Sequence, residues 1–124
     1  MNILKSLILV GAGGFLGSAL RYGVSLLYQR FENLPIPLAT LTVNLIGSIL
    51  IGVFMGLAMK ESISKSWHLF LVTGICGGFT TFSTFSYENV TLLKDGNYTA
   101  FLIYTGLSLA LCILGAFIGI SISK

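Results

Sequence analysis

Four long apolar runs, separated by short polar connections, constrain this chain more than any other feature of its sequence. The runs cover residues 3–28, 36–59, 67–93 and 98–122 and leave brief connections around residues 30–33, 60–66 and 94–97. A hydrocarbon core about 30 Å thick needs roughly 20 mostly apolar residues for each helical crossing. The 124 residues therefore predict an all-α membrane protein with four transmembrane helices in a single domain, residues 1–124.

The scarcity of charge argues against most other classes of protein. Charged residues make up 9% of this sequence, whereas a typical soluble domain has about 25%. The net charge of +3 comes from scattered residues, so no nucleic-acid partner is predicted. His68 is the one histidine, and with no buried carboxylate beside it we expect no enzyme activity. Cys76 and Cys112 lie inside apolar runs, where we expect neither a disulfide nor a metal pair.

Lysine and arginine are spread almost evenly between the two ends of the predicted helices. Four crossings place both termini on one side, with Lys5, Lys60, Lys65 and Lys124, while the other side has Arg30 and Lys94. Orientation follows such an imbalance, and here the imbalance is slight. We expect either a weak preference for cytoplasmic termini or insertion in both orientations.

Small residues recur at four-residue spacing in three of the runs. This pattern lets helix backbones approach closely in lipid, and it occurs at Gly13-xxx-Gly17, Ser48-xxx-Gly52-xxx-Gly56 and Gly115-xxx-Gly119. Tight packing is its ordinary interpretation. Because four short helices enclose little space by themselves, a pathway through them would require an oligomer.

The third run contains an unusual polar segment. Residues 73–86 combine glycine pairs with six hydroxyl side chains at the depth expected for the middle of a membrane. Unwound backbone at that depth is tolerated only where it is buried in protein or lines a cavity, and broken helices in transporters bind ions. We expect a third helix broken mid-membrane. The alternative is a glycine-kinked helix whose hydroxyls bond to the preceding turn.

Two polar stripes interrupt the second and fourth runs. Side chains four residues apart share a helix face, and the stripes consist of Thr40, Asn44 and Ser48 on the second run and Tyr104, Ser108 and Cys112 on the fourth. The two stripes can line one path. Hydrogen bonds between helices, which hold membrane proteins together, are the other explanation.

The polar groups in these runs are suited to an anion. Hydroxyl and amide groups donate hydrogen bonds, and they recur at Thr40, Asn44, Ser83, Thr84, Tyr104 and Ser108. Phe82 and Phe85 share a face, and an aromatic ring is positive at its edge. This set favours a small, strongly hydrated anion such as fluoride in a narrow path. Arg21 is either an electrostatic aid to the anion or an anchor that reaches the interface.

These segments resemble the bacterial fluoride channels called the Fluc or CrcB family. The similarity covers nearly the whole chain, and its motifs are GGFLGSALRY at residues 13–22, TLTVNLIGS at 40–48 and GGFTTFSTF at 77–85. The third motif is the most specific. The resemblance implies a passive, fluoride-selective channel of the bacterial cytoplasmic (inner) membrane that reduces fluoride toxicity.

The resemblance also implies an assembly and a set of site residues. It implies an antiparallel, dual-topology homodimer in the lipid bilayer, with two fluoride pores and a central structural sodium ion. Phe82, Phe85 and Asn44 would line the pore, and a polar track would include Thr40, Tyr104, Ser108 and Cys112. Backbone carbonyls of Gly77 and Thr80 from both subunits would hold the Na⁺ ion. Cys112 stands where the family commonly has serine, a stronger hydrogen-bond donor.

Two other functions fit parts of the sequence. A small dimeric exporter of another solute would need ion coupling, and no carboxylate lies at a helix centre to exchange protons for an organic cation. In a non-conducting tetraspan assembly protein, the polar stripes would serve solely to hold helices together.

Overall fold

Helices account for nearly all of the computed structural model, which describes residues 1–31 and 33–124. Helix α1 spans Ile3–Leu27, a 3₁₀ turn spans Gln29–Phe31, and α2 spans Leu38–Met59. The third span, Lys65–Lys94, consists of α3 (Lys65–His68), a π-helix (Leu69–Cys76), α4 (Gly77–Phe79) and α5 (Phe82–Lys94). Helix α6 spans Tyr98–Ser123.

The prediction of four membrane-crossing helices is confirmed. Within the described residues, α1, α2, the third span and α6 are each long and apolar enough to cross a membrane. Their bounds differ from the predicted runs by two residues or fewer at each end. The predicted connection at residues 30–33 includes Glu32, which lies outside the described residues.

Local sequence sets where the helices begin. The side chains of Asn2, Ser64 and Asn97 each accept a hydrogen bond from a backbone amide three residues further on. Such caps satisfy amides that the first turn of a helix leaves without an intrahelical acceptor. Helix α2 instead starts directly after Pro37, whose side chain makes no capping bond.

Glycines let the helices pack as two close pairs. Helix α1 packs on the π-helix and α4, and α2 packs on α6. A Cβ atom added at Gly17 would lie 2.8 Å from the Phe79 amide nitrogen, and one at Gly119 would lie 2.8 Å from the Val53 amide nitrogen. These distances are too short for a side chain. The predicted role of the small-residue motifs in tight packing is therefore confirmed.

A cluster of buried side chains joins the third span to α6. Phe85 and Leu92 of α5 pack against Ala100 and Tyr104 of α6, and Tyr104 is 0% exposed. Large apolar side chains remain exposed on the outer surfaces, for example Phe15 on α1 and Phe117 on α6. Apolar outer surfaces are what a lipid environment requires. Four of the predicted polar residues lie between the helices instead, namely Thr40, Asn44, Tyr104 and Ser108.

Candidate functional site

A groove of about 350 Å³ runs between α2, the third span and α6. It brings together seven of the predicted pathway and sodium-site residues, namely Asn44, Gly77, Thr80, Phe82, Phe85, Ser108 and Cys112. None of the described residues that line it carries a charged side chain. The groove therefore offers neutral donors within a mostly apolar wall.

The backbone changes direction where the third span meets this groove. Thr80 and Thr81 have extended φ and ψ angles, between the end of α4 at Phe79 and the start of α5 at Phe82. The Thr81 hydroxyl accepts a hydrogen bond from the Thr84 amide at 3.2 Å and so caps α5. Helix α4 therefore ends at Phe79, and α5 begins at Phe82.

Asn44 on α2 holds the extended residues in place. Its side-chain oxygen accepts a hydrogen bond from the Thr81 amide at 2.8 Å, and its side-chain nitrogen donates to the Thr81 carbonyl at 3.1 Å. One side-chain amide therefore satisfies both backbone groups of a residue that lies outside helical geometry. Since unpaired backbone groups are costly in a membrane, Asn44 is structural as well as a groove residue.

Two carbonyls lose their helical partners at the same point. In an α-helix each carbonyl accepts from the amide four residues later. The Thr81 amide, the helical partner of the Gly77 carbonyl, donates to Asn44 instead. The Thr84 amide, the partner of the Thr80 carbonyl, donates to the Thr81 hydroxyl. Gly77 is also exposed beside the groove.

Ser108 is the most informative side chain of the α6 wall. It is 6% exposed, and its Oγ is buried with no hydrogen-bond partner among the described residues. Native proteins leave few buried polar atoms unpaired, and each one needs an explanation such as a bound water or ion. Cys112 lies one turn further along α6 and Ser48 lies across the groove on α2.

Phe82 and Phe85 contact each other at the end of the groove. Their ring centroids are 5.6 Å apart with a 42° angle between the ring planes. Phe85 is 8% exposed and also packs on Tyr104, at 5.1 Å between centroids. Phe82, by contrast, is 75% exposed. The pair therefore consists of one ring fixed in the core and one on the surface of the subunit.

Glu88 organises a polar cluster beyond the phenylalanines. Its two carboxylate oxygens accept hydrogen bonds from the Thr40 and Tyr104 hydroxyls, each at 2.8 Å. Glu88 is the one carboxylate of the third span. Glu88 is not among the site residues predicted from the sequence. An ionisable residue inside an apolar run was the available signal.

A second, smaller cavity of about 110 Å³ adjoins this cluster. Arg21, Thr40, Thr81 and Thr84 line it. The Arg21 Nε donates to the Gly78 carbonyl at 3.0 Å, so Arg21 binds the end of α4 and is more than an interfacial anchor. Ser83 lies outside both cavities, exposed and 3.3 Å from the Thr81 hydroxyl. The nine predicted pathway residues are thus divided among the groove, the small cavity and the positions beside them, and do not line a single cavity.

The described part of the chain offers few side-chain ligands for a metal. No group of three or more His, Cys, Asp or Glu side chains among these residues is placed to hold one. Any cation near the groove would depend on backbone and hydroxyl oxygens or on the two cysteines.

Helices that cross the membrane four times and enclose a neutral, donor-lined groove define a multi-pass membrane protein with a candidate path for an ion. A family model described as "CrcB-like protein, Camphor Resistance (CrcB)" matches residues 8–120. The chain belongs to this CrcB family, as the sequence motifs predicted.

Curated relatives cover almost the whole chain. A protein of Chlorobium phaeobacteroides named "Fluoride-specific ion channel FluC" is 47% identical over 121 residues, 97% of this chain and 90% of the relative. A protein of Phocaeicola vulgatus with the same name is 46% identical over 121 residues, 98% of this chain and 100% of the relative. Both names describe an ion channel rather than an enzyme, as expected for this family.

Proposed function

We propose that this protein is a passive, fluoride-selective channel that lets fluoride leave the cell and so reduces its toxicity. The observation that carries the proposal is the buried hydroxyl of Ser108, a groove-lining residue, which has no hydrogen-bond partner among the described residues. An anion in the groove would accept its hydrogen bond. The names of the relatives support fluoride as that anion.

The groove suits fluoride because its donors are neutral and closely spaced. Ser108 and the second proton of the Asn44 amide are available to donate, since Asn44 uses one proton on the Thr81 carbonyl. The edges of Phe82 and Phe85 provide a weaker positive potential. With no charged side chain in the described lining, an anion binds without the strong attraction that would prevent its release.

The remaining polar residues extend this path in the proposal. Beyond Phe85, the ion would reach the Thr40 and Tyr104 hydroxyls around Glu88, and the small cavity lined by Thr84 and Arg21. In the other direction it would pass Cys112. The interruption at Thr80 and Thr81 would lie mid-membrane, beside the small cavity that Thr84 lines. Ser83, exposed next to Thr81, would reach the path from the surface of the subunit.

A second copy of the chain would complete the path. Phe82 is 75% exposed beside the groove, and a second copy packed here would cover this ring together with the polar lining of the groove. We propose an antiparallel homodimer with two pores, each containing aromatic rings from the shared interface. The slight Lys and Arg imbalance supports insertion in both orientations.

The freed carbonyls support a structural sodium ion in this dimer. Na⁺ is a hard cation, and hard cations bind oxygen ligands. The Gly77 and Thr80 carbonyls have each lost a helical partner, and both residues line the groove edge. With the same two carbonyls from the partner, they would hold the ion that joins the subunits.

Fluoride efflux from liposomes tests the proposal directly. Purified protein would be reconstituted with internal potassium fluoride, and a fluoride electrode would record release after a potassium ionophore allows charge balance. We expect fast fluoride release and negligible chloride release from matched vesicles. Concentrative transport driven by another ion would indicate an exporter, and a folded dimer with no release would indicate an assembly protein.

Substitutions of the two phenylalanines test their place in the path. We expect Phe82→Ala and Phe85→Ala to reduce fluoride flux by at least about tenfold, the effect of losing roughly 1.4 kcal/mol of stabilisation. Phe15→Ala on α1 is the matched control, because Phe15 is 73% exposed and lies outside the groove. Equal flux in all three variants would remove the phenylalanines from the pathway.

A further inference from the structure

The two cysteines of the chain line the same groove. Cys76 ends the π-helix and is 3% exposed, whereas Cys112 lies half-buried on α6. Both thiols are free. Sequence reasoning had no signal for a shared role, because the cysteines are 36 positions apart (112 minus 76) in different helices.

We propose that the groove is also a binding site for a single soft divalent cation, of which Hg²⁺ is the model, held between Cys76 and Cys112. The proposed site contradicts the expectation, drawn from the sequence, that these cysteines form no metal pair. A bound ion in this position closes the proposed fluoride pathway. Closure of the pathway rests on the proposed function, whereas the metal site itself does not.

The chemistry of the lining selects a soft cation. Thiolate ligands favour soft metal ions, and each wall of the groove contributes one thiol. None of the described lining residues is Asp, Glu or His. Zinc prefers four ligands in tetrahedral geometry, and the groove provides only two thiols among the described residues. Hg²⁺ is satisfied by two sulfur ligands in a line.

Charge balance also favours a divalent ion in this apolar groove. When mercuric chloride reacts, a mercury–sulfur bond forms at each cysteine, each thiol releases its proton to water, and two chloride ions leave. The product is electrically neutral. Because an isolated charge is expensive to bury, a neutral bis-thiolate complex fits the groove better than the same two thiolates around a monovalent ion.

The neighbouring Ser108 indicates that this wall of the groove is ready to accept a ligand. Ser108 lies one turn before Cys112, and its buried Oγ has no partner among the described residues. A buried polar atom without a partner calls for an explanation such as a bound ligand. Cys112 lines the same groove as Ser108.

Mercury stoichiometry tests the site without reference to transport. Full-length protein in detergent would be titrated with mercuric chloride and followed by intact mass and by ultraviolet absorbance of the mercury–thiolate bond. We expect one mercury per native chain, with zinc giving no change. The single variants Cys76→Ser and Cys112→Ser each keep one of the two sulfur ligands. Each variant should therefore lose mercury to a competing monothiol at a monothiol concentration at least about tenfold lower than the native protein requires.

Two results would overturn the shared site. Two mercury ions per native chain, or identical competition curves for native and single-cysteine proteins, would show that the thiols react independently. If a serine variant does not fold, the same comparison is made with Cys76→Ala and Cys112→Ala.

Fluoride efflux then tests closure of the pathway. Each protein is compared with its own untreated rate, and mercury should stop the native protein but leave the double-cysteine variant unaffected. Continued release from native protein holding one mercury per chain would overturn closure. Failure of untreated native protein to release fluoride would instead overturn the proposed function, while the stoichiometry still decides the metal site.

Discussion

At the scale of single residues, Asn44 both stabilises the fold and lines the candidate site. Its amide pairs with both backbone groups of Thr81, and the same side chain lines the groove. A position with two such duties tolerates few replacements. Asparagine suits it because one short side chain supplies an acceptor and a donor in a fixed geometry.

We therefore expect Asn44→Ala to destabilise the protein and to reduce transport. The loss of two polar contacts should lower the free energy of unfolding by about 0.5–2 kcal/mol, the range for hydrogen bonds between membrane helices. Thermal unfolding in detergent measures this loss. Ser48→Ala is the control, since Ser48 lies one turn away in the same groove. Equal stability of the two variants would contradict the role of Asn44.

Much of the site could be predicted from spacing, but long-range contacts could not. Four-residue periodicity placed Ser108 and Cys112 on the groove face, as the structure does. Periodicity within one helix does not reveal partners on another. Hence the bonds from Thr40 and Tyr104 to Glu88, 48 and 16 positions apart, and the Arg21 contact with Gly78 required the folded arrangement.

At the scale of helices, some glycines lie where two helices pack closely and others lie where no neighbouring atom is near. A Cβ at Gly17 would meet the backbone of Phe79 and Gly78, whereas one at Gly23 on the same helix meets no atom within 4 Å. Sequence spacing predicted Gly17 as a packing position. The identity of its partner, the third span, came from the fold.

Alanine substitutions at these two glycines should have opposite effects. Gly17→Ala forces α1 away from the third span and should cost about 1–3 kcal/mol of stability, as overpacking does. Gly23→Ala should be neutral or stabilising by up to about 1 kcal/mol, since alanine favours the helix. Unfolding midpoints in one detergent compare them. Similar midpoints would contradict close packing at Gly17.

The backbone just after α2 has a strained conformation that a substitution can relieve. Glu61 has φ of 55°, and the next amide, of Ser62, donates to the Leu57 carbonyl at 2.9 Å. Gly96 occupies the same position after α5, with φ of 73° and an Asn97 amide bonded to Leu92. Glycine is the usual residue at such a helix end. The sequence places Glu61 and Gly96 alike in connections, at residues 60–66 and 94–97, and does not distinguish their backbone geometry.

Replacing Glu61 with glycine should therefore stabilise the protein. A non-glycine residue in left-handed geometry costs roughly 1 kcal/mol, so Glu61→Gly should raise the unfolding midpoint. Gly96→Ala is the reciprocal variant and should lower it by a similar amount. A midpoint that falls for Glu61→Gly would show that the side chain contributes more than the strain removes.

At the scale of the whole molecule, the open groove predicts the oligomeric state. One subunit leaves Phe82 exposed and the groove accessible from the side. We expect native mass measurement of the purified protein to give two chains. A tag on Lys124 should be accessible from both sides of the membrane in intact cells and inverted vesicles. A monomer that conducts fluoride would contradict this arrangement.

The pairing of helices has a consequence for biosynthesis. Helix α1 packs on the third span and α2 packs on α6, so each close pair joins helices that are not consecutive in the chain. A helix leaving the ribosome meets its partner only after another helix has been made. The glycine surface of α2 stays uncovered until the last segment is synthesised. Loss of that final segment would therefore leave half of the packing unmade, however complete the preceding chain.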